Sequence, residues 1–234
     1  VQMYIPQQYQ IPEAQALELA EKIGRGQFIG QVAGRWESTL LPFLVERRGE
    51  KIIVQSHISK VNPQWKCSGS GLIVVNGVQG QVHGADLPPN PAGARLPRVP
   101  TLDYIQVHLR GKFFAYTDRE WKIAHLQKML QRFEGDWDLS AADQKLLDNA
   151  LPALVGVEME VAEIAGKAKL HQNLLPEEIS FTAENMAARG GEYAEVAQAM
   201  EKIAVPWAQE REARVASVEA SRRIPLRAKT EKNS

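Results

Sequence analysis

The sequence has 234 residues, with 28 Lys+Arg against 28 Asp+Glu, 44% hydrophobic and 7% aromatic residues. This composition excludes a collagen, a coiled coil and an intrinsically disordered chain, and zero formal charge gives no overall field that would draw in nucleic acid. The single cysteine, Cys67, cannot form an internal disulfide, and no leader-like segment or run of about 18 apolar residues is visible, so a soluble cytoplasmic protein is expected.

In chain order, Pro12 to Ile23 places Leu17, Ala20 and Ile23 on one helical face and stops at Gly24, a glycine C-terminus. Five short apolar or alternating runs follow, at 27–34, 39–45, 51–57, 71–76 and 78–83, and predict mostly antiparallel strands of a barrel or sandwich. Asn76-Gly77 between the last two reads as a hairpin turn. Residues 85–100, with Pro88, Pro89, Pro91, Pro97 and Pro100, cannot supply regular ladder donors and read as a long loop. Residues 104–116 resume a strand. Thr117 and Glu120 form a capping-box pattern before a helix with Ile123, Leu126, Leu130 and Phe133, and Ser140 with Asp143 repeats it before a short helix that Pro152 ends. Residues 154–164 alternate Val155, Val157, Met159 and Val161 with Gly156, Glu158 and Glu160, the pattern of a strand with one buried face. Beyond Pro176 the chain turns helical, with breaks expected at Gly190-Gly191 and Pro206 and an apolar face of Val196, Met200, Ile203 and Trp207. The predicted organisation is a domain over 1–175, a helical extension over 176–220 and a basic tail over 221–234.

The sequence carries no GxGxxG after a strand, no GxxxxGK, HExxH, CxxC or GxSxG, and its five histidines show no metal-ligand spacing. Two segments hold more chemistry. His57 to Trp65 puts a histidine at a strand end before a polar, aromatic turn, the layout of a ligand rim, although an Asn-Pro turn with a packed Trp is the plainer reading. Lys167 to Asn173 offers two cations, a histidine and two amides, which suits a phosphate or propionate or, more plainly, a solvated basic turn.

Met3-Tyr4-Ile5-Pro6, His57 with Asn62-Pro63-Gln64-Trp65, Val99-Pro100-Thr101-x-x-Tyr104-x-x-Val107-His108-x-x-Gly111, and Val155-Gly156-x-Glu158 leading to Gly166-Lys167-x-Lys169-Leu170-x-Gln172-Asn173 occur in one order. Over residues 3 to about 200 the chain resembles the PaiB family of FMN-binding negative transcriptional regulators. The resemblance implies an α+β, mainly β fold, a split β-barrel of the flavin-reductase and pyridoxamine-phosphate-oxidase type with peripheral helices. It further implies a homodimer with FMN at the subunit interface, and a regulatory or flavin-dependent redox role. The site residues it suggests are His57, Asn62, Gln64, Trp65, Thr101, Tyr104, Lys167, Lys169 and Gln172. DNA binding has only the basic tail behind it, and no membrane contact is expected.

The chain also departs from that family. A Ser-Pro-Ser-Trp-Tyr-Pro-Ser-Lys type stretch is replaced by His83 to Asn90, Ser-His-Ile/Leu-Pro by Thr39-Leu40-Leu41-Pro42, Thr-Trp-Asn-Tyr by Thr101-Leu102-Asp103-Tyr104, and Lys-Leu-Ser-Gln-Asn-Arg by Lys169 to Leu174. His83 and His171 stand where serines are usual. Haem b is therefore the alternative cofactor, with His57 or His83 as iron ligand and a piperazate-synthase-like N–N bond-forming activity, and a cofactor-free interaction protein is the third reading.

Overall fold

The computed structural model describes residues 3–67, 69–93, 97–135, 139 and 144–222. The Ser140–Asp143 cap and the basic tail after Arg222 lie outside them. The described residues form two compact units, one within 3–77 and 104–168, the other within 78–103 and 169–222. No helix among the described residues is long and apolar enough to cross a membrane.

The first unit opens with strand β1 (Gln10–Ile11) and helix α1 (Glu13–Ile23), which ends on Gly24 in the left-handed region at φ 62°, its N–H donating to Ala20 O. Strands β2 (Arg25–Val32), β3 (Arg35–Pro42), β4 (Leu44–Arg48) and β5 (Lys51–Ser59) follow. Then come β6 (Gly69–Val82), β7 (Thr101–Tyr116), helices α2 (Arg119–Phe133) and α3 (Gln144–Ala150), and β8 (Leu154–Lys169). The sheet order is β3-β2-β6-β7-β8-β5-β4, with β1 beside the end of β8.

That order explains why the sheet curls. Its outermost strands, β3 and β4, are consecutive in the chain with only Phe43 between them, so the two edges must meet at this corner. Ser56 Oγ of β5 donates to Pro42 O at 2.6 Å and the Phe43 N–H donates to Gly24 O at 2.7 Å, which ties the corner down. The result is a split β-barrel with a mainly antiparallel sheet and helices outside it. Phe28, Phe43, Ile73, Val75, Val107, Leu109, Val155 and Met159 fill its interior. Phe28 and Phe113 stack at 5.8 Å. Between them, Cys67 and Trp65 remains a cavity of about 20 Å³, room for a single water.

Three local expectations need correction. The 39–45 run is two strands split at Phe43, because that side chain turns into the core, 1% exposed. Asn76-Gly77 is no hairpin: β6 runs unbroken through it, Gly77 does not have positive φ, and a Cβ there would lie 3.1 Å from Ile105 Cβ. The glycine allows a neighbouring strand to come close. The helix α2 is capped by Asp118, whose carboxylate accepts from the Trp121 N–H at 2.8 Å, one residue beyond the expected Thr117. Asp118→Ala should cost about 1 kcal/mol in urea denaturation, with Thr117→Ala close to neutral.

The second unit holds helices α4 (Pro176–Ala188), α5 (Gly191–Ala199) and α6 (Val205–Arg222), the last two joined by a π-helical turn at Met200–Ala204. Gly190 has φ 71°, matching the expected break, whereas Pro206 falls inside the first turn of α6. The buried face is Val196, Met200, Ala204 and Ala208, while Ile203 is 37% exposed. The π turn accommodates an extra residue, so a strict four-residue spacing stays on one face where an uninterrupted α-helix would have brought Ile203 inward. This face packs with Ile179, Ala183 and Met186 of α4, and both helices lie over Gly80, where a Cβ would sit 3.2 Å from Val196 and 3.4 Å from Met186.

Candidate functional site

In the first unit, polar side chains gather where α2 crosses β5 and β8. Gly156 makes the crossing possible, since a Cβ there would fall 2.0 Å from the Trp121 ring. Trp121 stacks on Tyr116 and on His125, each at 5.0 Å between ring centres. Beneath it Glu158, 2% exposed, accepts from both terminal nitrogens of Arg48 at 3.0 and 2.7 Å, from Gln55 Nε2 at 2.7 Å and from Trp121 Nε1 at 3.1 Å. Burial alone would push this carboxyl up. The hydrogen bonds from Arg48, Gln55, Tyr116 and Trp121 outweigh that and hold it below the usual carboxylate range.

His57, at the end of β5, belongs to the same cluster: its Nδ1 is 3.1 Å from His125 Nε2, one ring donating to the other. Burial drives both imidazoles toward the neutral form, and the nearby His57 helps lower His125 to about 3. Sequence reasoning singled out His57 but missed Trp121, His125 and Arg48. A glycine in the middle of a strongly patterned strand was the available signal, because it marks the close approach of something large.

The other rim residues of this unit bind the barrel itself. Asn62 accepts from the Gln64 N–H and donates to Thr39 Oγ1, Gln64 donates to Phe28 O, and Trp65 Nε1 donates to Lys60 O. His57 is thus brought to His125, while Asn62, Gln64 and Trp65 form the turn that closes one barrel end.

Lys167 and Tyr104 do come together. Lys167 Nζ lies 5.5 Å from the centre of the Tyr104 ring and 5.9 Å from that of Tyr4, a cation between two aromatic faces. It makes no ion pair with any described residue. Alternation along β7 puts Gln106 and His108 on the side of Tyr104. Gln106 Nε2 donates to Asn76 Oδ1 at 2.8 Å, its Oε1 is 3.0 Å from His108 Nε2, and the buried His108 Nδ1 has no partner among the described residues. Register carries this outward face across β6, β2 and β3 to Val74, Gln27 and Leu40, and on to Trp36. Leu40 and Trp36 are 59% and 67% exposed.

The second unit contains the remaining candidates. Lys169 Nζ donates to Thr101 Oγ1 and Leu102 O, and Gln172 Oε1 accepts from the Leu170 N–H at 2.8 Å, so all three stabilise the segment after β8. His83 is exposed, with Nε2 3.3 Å from Arg189 Nη2, and a guanidinium there competes with iron for the lone pair. Among the described residues no group of three or more His, Cys, Asp or Glu is arranged to hold a metal ion.

The structure is similar to the FAD and haem binding protein from Mycobacterium smegmatis, at 15% identity and a TM-score of 0.50 over 69% of this chain and 73% of that one. It is also similar to a flavocytochrome from Azotobacter vinelandii (14%, 0.47, 67% of each chain) and to the haem storage protein HutZ from Vibrio cholerae (12%, 0.41, 66% and 94%). The first of these supports the split-barrel fold. No curated protein matches the sequence significantly. A family model described as "Putative FMN-binding domain" matches residues 3–163. Because this match takes in β1 through most of β8, and with them the greater part of the chain, the protein belongs to that FMN-binding family.

Proposed function

We propose that the protein is an FMN-binding split barrel that holds the cofactor phosphate at Lys167, between Tyr104 and Tyr4. One observation carries this reading: Lys167 is a cation beside two rings that makes no ion pair with any described residue, so its charge is available to a phosphate. Tyr104 and Tyr4 offer flat faces, and His108 Nδ1 offers a buried polar atom still in need of a partner. These groups fit a ligand with a phosphate, an aromatic ring and a polar edge. FMN, when bound, supplies electron and hydride chemistry; the protein's part is to hold and orient it.

Lys167→Ala should weaken FMN binding about tenfold to a hundredfold, the worth of a charge-assisted hydrogen bond, and leave riboflavin unaffected. Fluorescence titration with the two flavins checks this. An equal loss for both, or none for either, would rule out a phosphate role for Lys167.

Trp36 and Leu40 on the same outward face support a homodimer, so light scattering at micromolar concentration should give the mass of two chains. Regulation of transcription rests on the family resemblance alone. Haem is the alternative occupant; His57 Nε2 has no partner among the described residues, whereas His83 Nε2 faces the Arg189 guanidinium. An absorbance spectrum of the loaded protein separates a flavin band from a Soret band.

A further inference from the structure

The second unit contains a histidine and a carboxylate that neither the flavin reading nor the fold requires. Asp103, near the start of β7, is 0% exposed, and His171, two residues beyond β8, is 8% exposed. His171 Nδ1 lies 2.6 Å from Asp103 Oδ2. An ionised carboxylate only accepts, so Nδ1 carries the hydrogen, and in the neutral ring Nε2 holds the lone pair. The bond forms with a neutral or a protonated ring alike. Its effect is therefore to fix which nitrogen exchanges a proton rather than to act as a switch. Lys169 Nζ, 3.7 Å from Asp103 Oδ1, supplies positive charge to the enclosed carboxylate while its own N–H groups serve Thr101 and Leu102.

The backbone at His171 adds a second observation. Its φ is 62°, and Ala33 is the only other non-glycine residue with positive φ among those described. Such a conformation costs roughly 1 kcal/mol or more and suits Gly or Asn better. The turn is nevertheless firmly held: the Leu174 N–H donates to His171 O, and Arg211 of α6 donates to Gln172 O and Leu174 O at 2.8 Å each. An imidazole is thus kept on a strained turn and aimed by a buried acid. Both residues also stand where the chain departs from the family pattern, Asp103 for Asn and His171 for Ser, so each departure supplies half of the pair.

We propose that Asp103 and His171 form an acid–base dyad serving a small polar ligand that bears an exchangeable O–H or N–H group. Asp103 is the positioning residue. In the proton transfer the ligand O–H or N–H bond breaks, its electron pair stays on the ligand heteroatom, and an Nε2–H bond forms on His171. Asp103 offsets the imidazolium charge, and the reverse step returns the proton. The dyad lies wholly within the second unit and is independent of FMN.

The test uses the full chain. Two-bond ¹H–¹⁵N correlation spectra should show His171 as the Nδ1–H tautomer, with the lone pair on Nε2. Diethyl pyrocarbonate should modify His171 faster than the enclosed His125. Asp103→Asn should shift the ring toward the Nε2–H tautomer and slow its modification by about tenfold or more. His171→Asn, which tolerates the left-handed backbone and can still donate to Asp103, should fold normally and lose only the His171 signals. An Nε2–H tautomer in the unaltered protein, a His171 that does not react, or unfolding of His171→Asn would overturn the proposal in favour of a purely structural pair. If Asp103→Asn fails to fold, the tautomer and reactivity of the unaltered protein decide.

Discussion

Gly111→Ala should destabilise the barrel by about 3 kcal/mol or more, the upper range for forcing extra volume into a packed interior. An added Cβ would lie 2.0 Å from the backbone oxygen of Glu160 and 2.9 Å from Met159 Cγ. A side chain can rotate out of the way, but the Glu160 carbonyl belongs to β8, which is fixed by β7 on one side and β5 on the other. Relief therefore requires separating strands. Gly156→Ala should follow closely: its Cβ would strike the Trp121 ring at 2.0 Å, and moving that ring sacrifices its hydrogen bond to Glu158 and its stacking on Tyr116 and His125. Urea midpoints at fixed slope measure both effects. A midpoint matching that of the unaltered protein for either variant would mean that the close approach does not exist.

The second large effect is acid sensitivity that begins above the range in which carboxylates titrate. His125 has an ordinary value of 6.5 and is lowered to about 3 in the folded chain, first by burial and then by His57. Between those values the unfolded chain binds the extra proton and the folded chain does not, so stability is complete above about pH 6.5 and is lost as pH falls toward 3. Two pH units below 6.5 correspond to about 2.7 kcal/mol for His125 alone. His57, lowered by burial, acts in the same direction. Glu158 is held below its ordinary 4.5, so its own loss begins only under that pH. Melting temperatures at pH 7 and pH 4.5 should therefore differ by many degrees, and His125→Phe, which keeps a ring against Trp121 but cannot take a proton, should flatten much of the difference. An equally steep dependence in that variant would move the effect to other groups.

What the sequence disclosed and what it withheld divide along physical lines. The strand expected at 154–164 was legible from its alternating apolar residues, although it runs on to Lys169 and buries Gly156 and Glu158 on its other face as well, and the end of α1 was legible because Gly24 meets a local geometric demand. Asn76-Gly77 misled because a glycine serves equally for a tight turn and for the close passage of another strand, and Ile105, which decides between them, is remote in the chain. The split at Phe43 was hidden for a related reason: a corner in a closed sheet is set by where its two edges meet, which no local window contains. Tyr104 and Lys167, which the structure brings together, were named from ordered family motifs. Arg48 of β4 and Trp121 of α2 meet on Glu158 of β8, with His125 stacked on Trp121, so the cluster is built from three separate elements and no spacing rule could assemble it.

Cys67 connects the architecture to the chemical lifetime of the molecule. Its sulfur occupies the space left by Gly30, where a Cβ would come within 2.3 Å of it, and burial pushes the thiol up, away from the reactive thiolate. As it is the only cysteine in the sequence, the native protein presents oxidants with no readily ionised sulfur and no partner for intramolecular crosslinking. Alkylation of this one atom must wait for the barrel end to open, so its rate in a redox-active setting would record how often the closed sheet breathes.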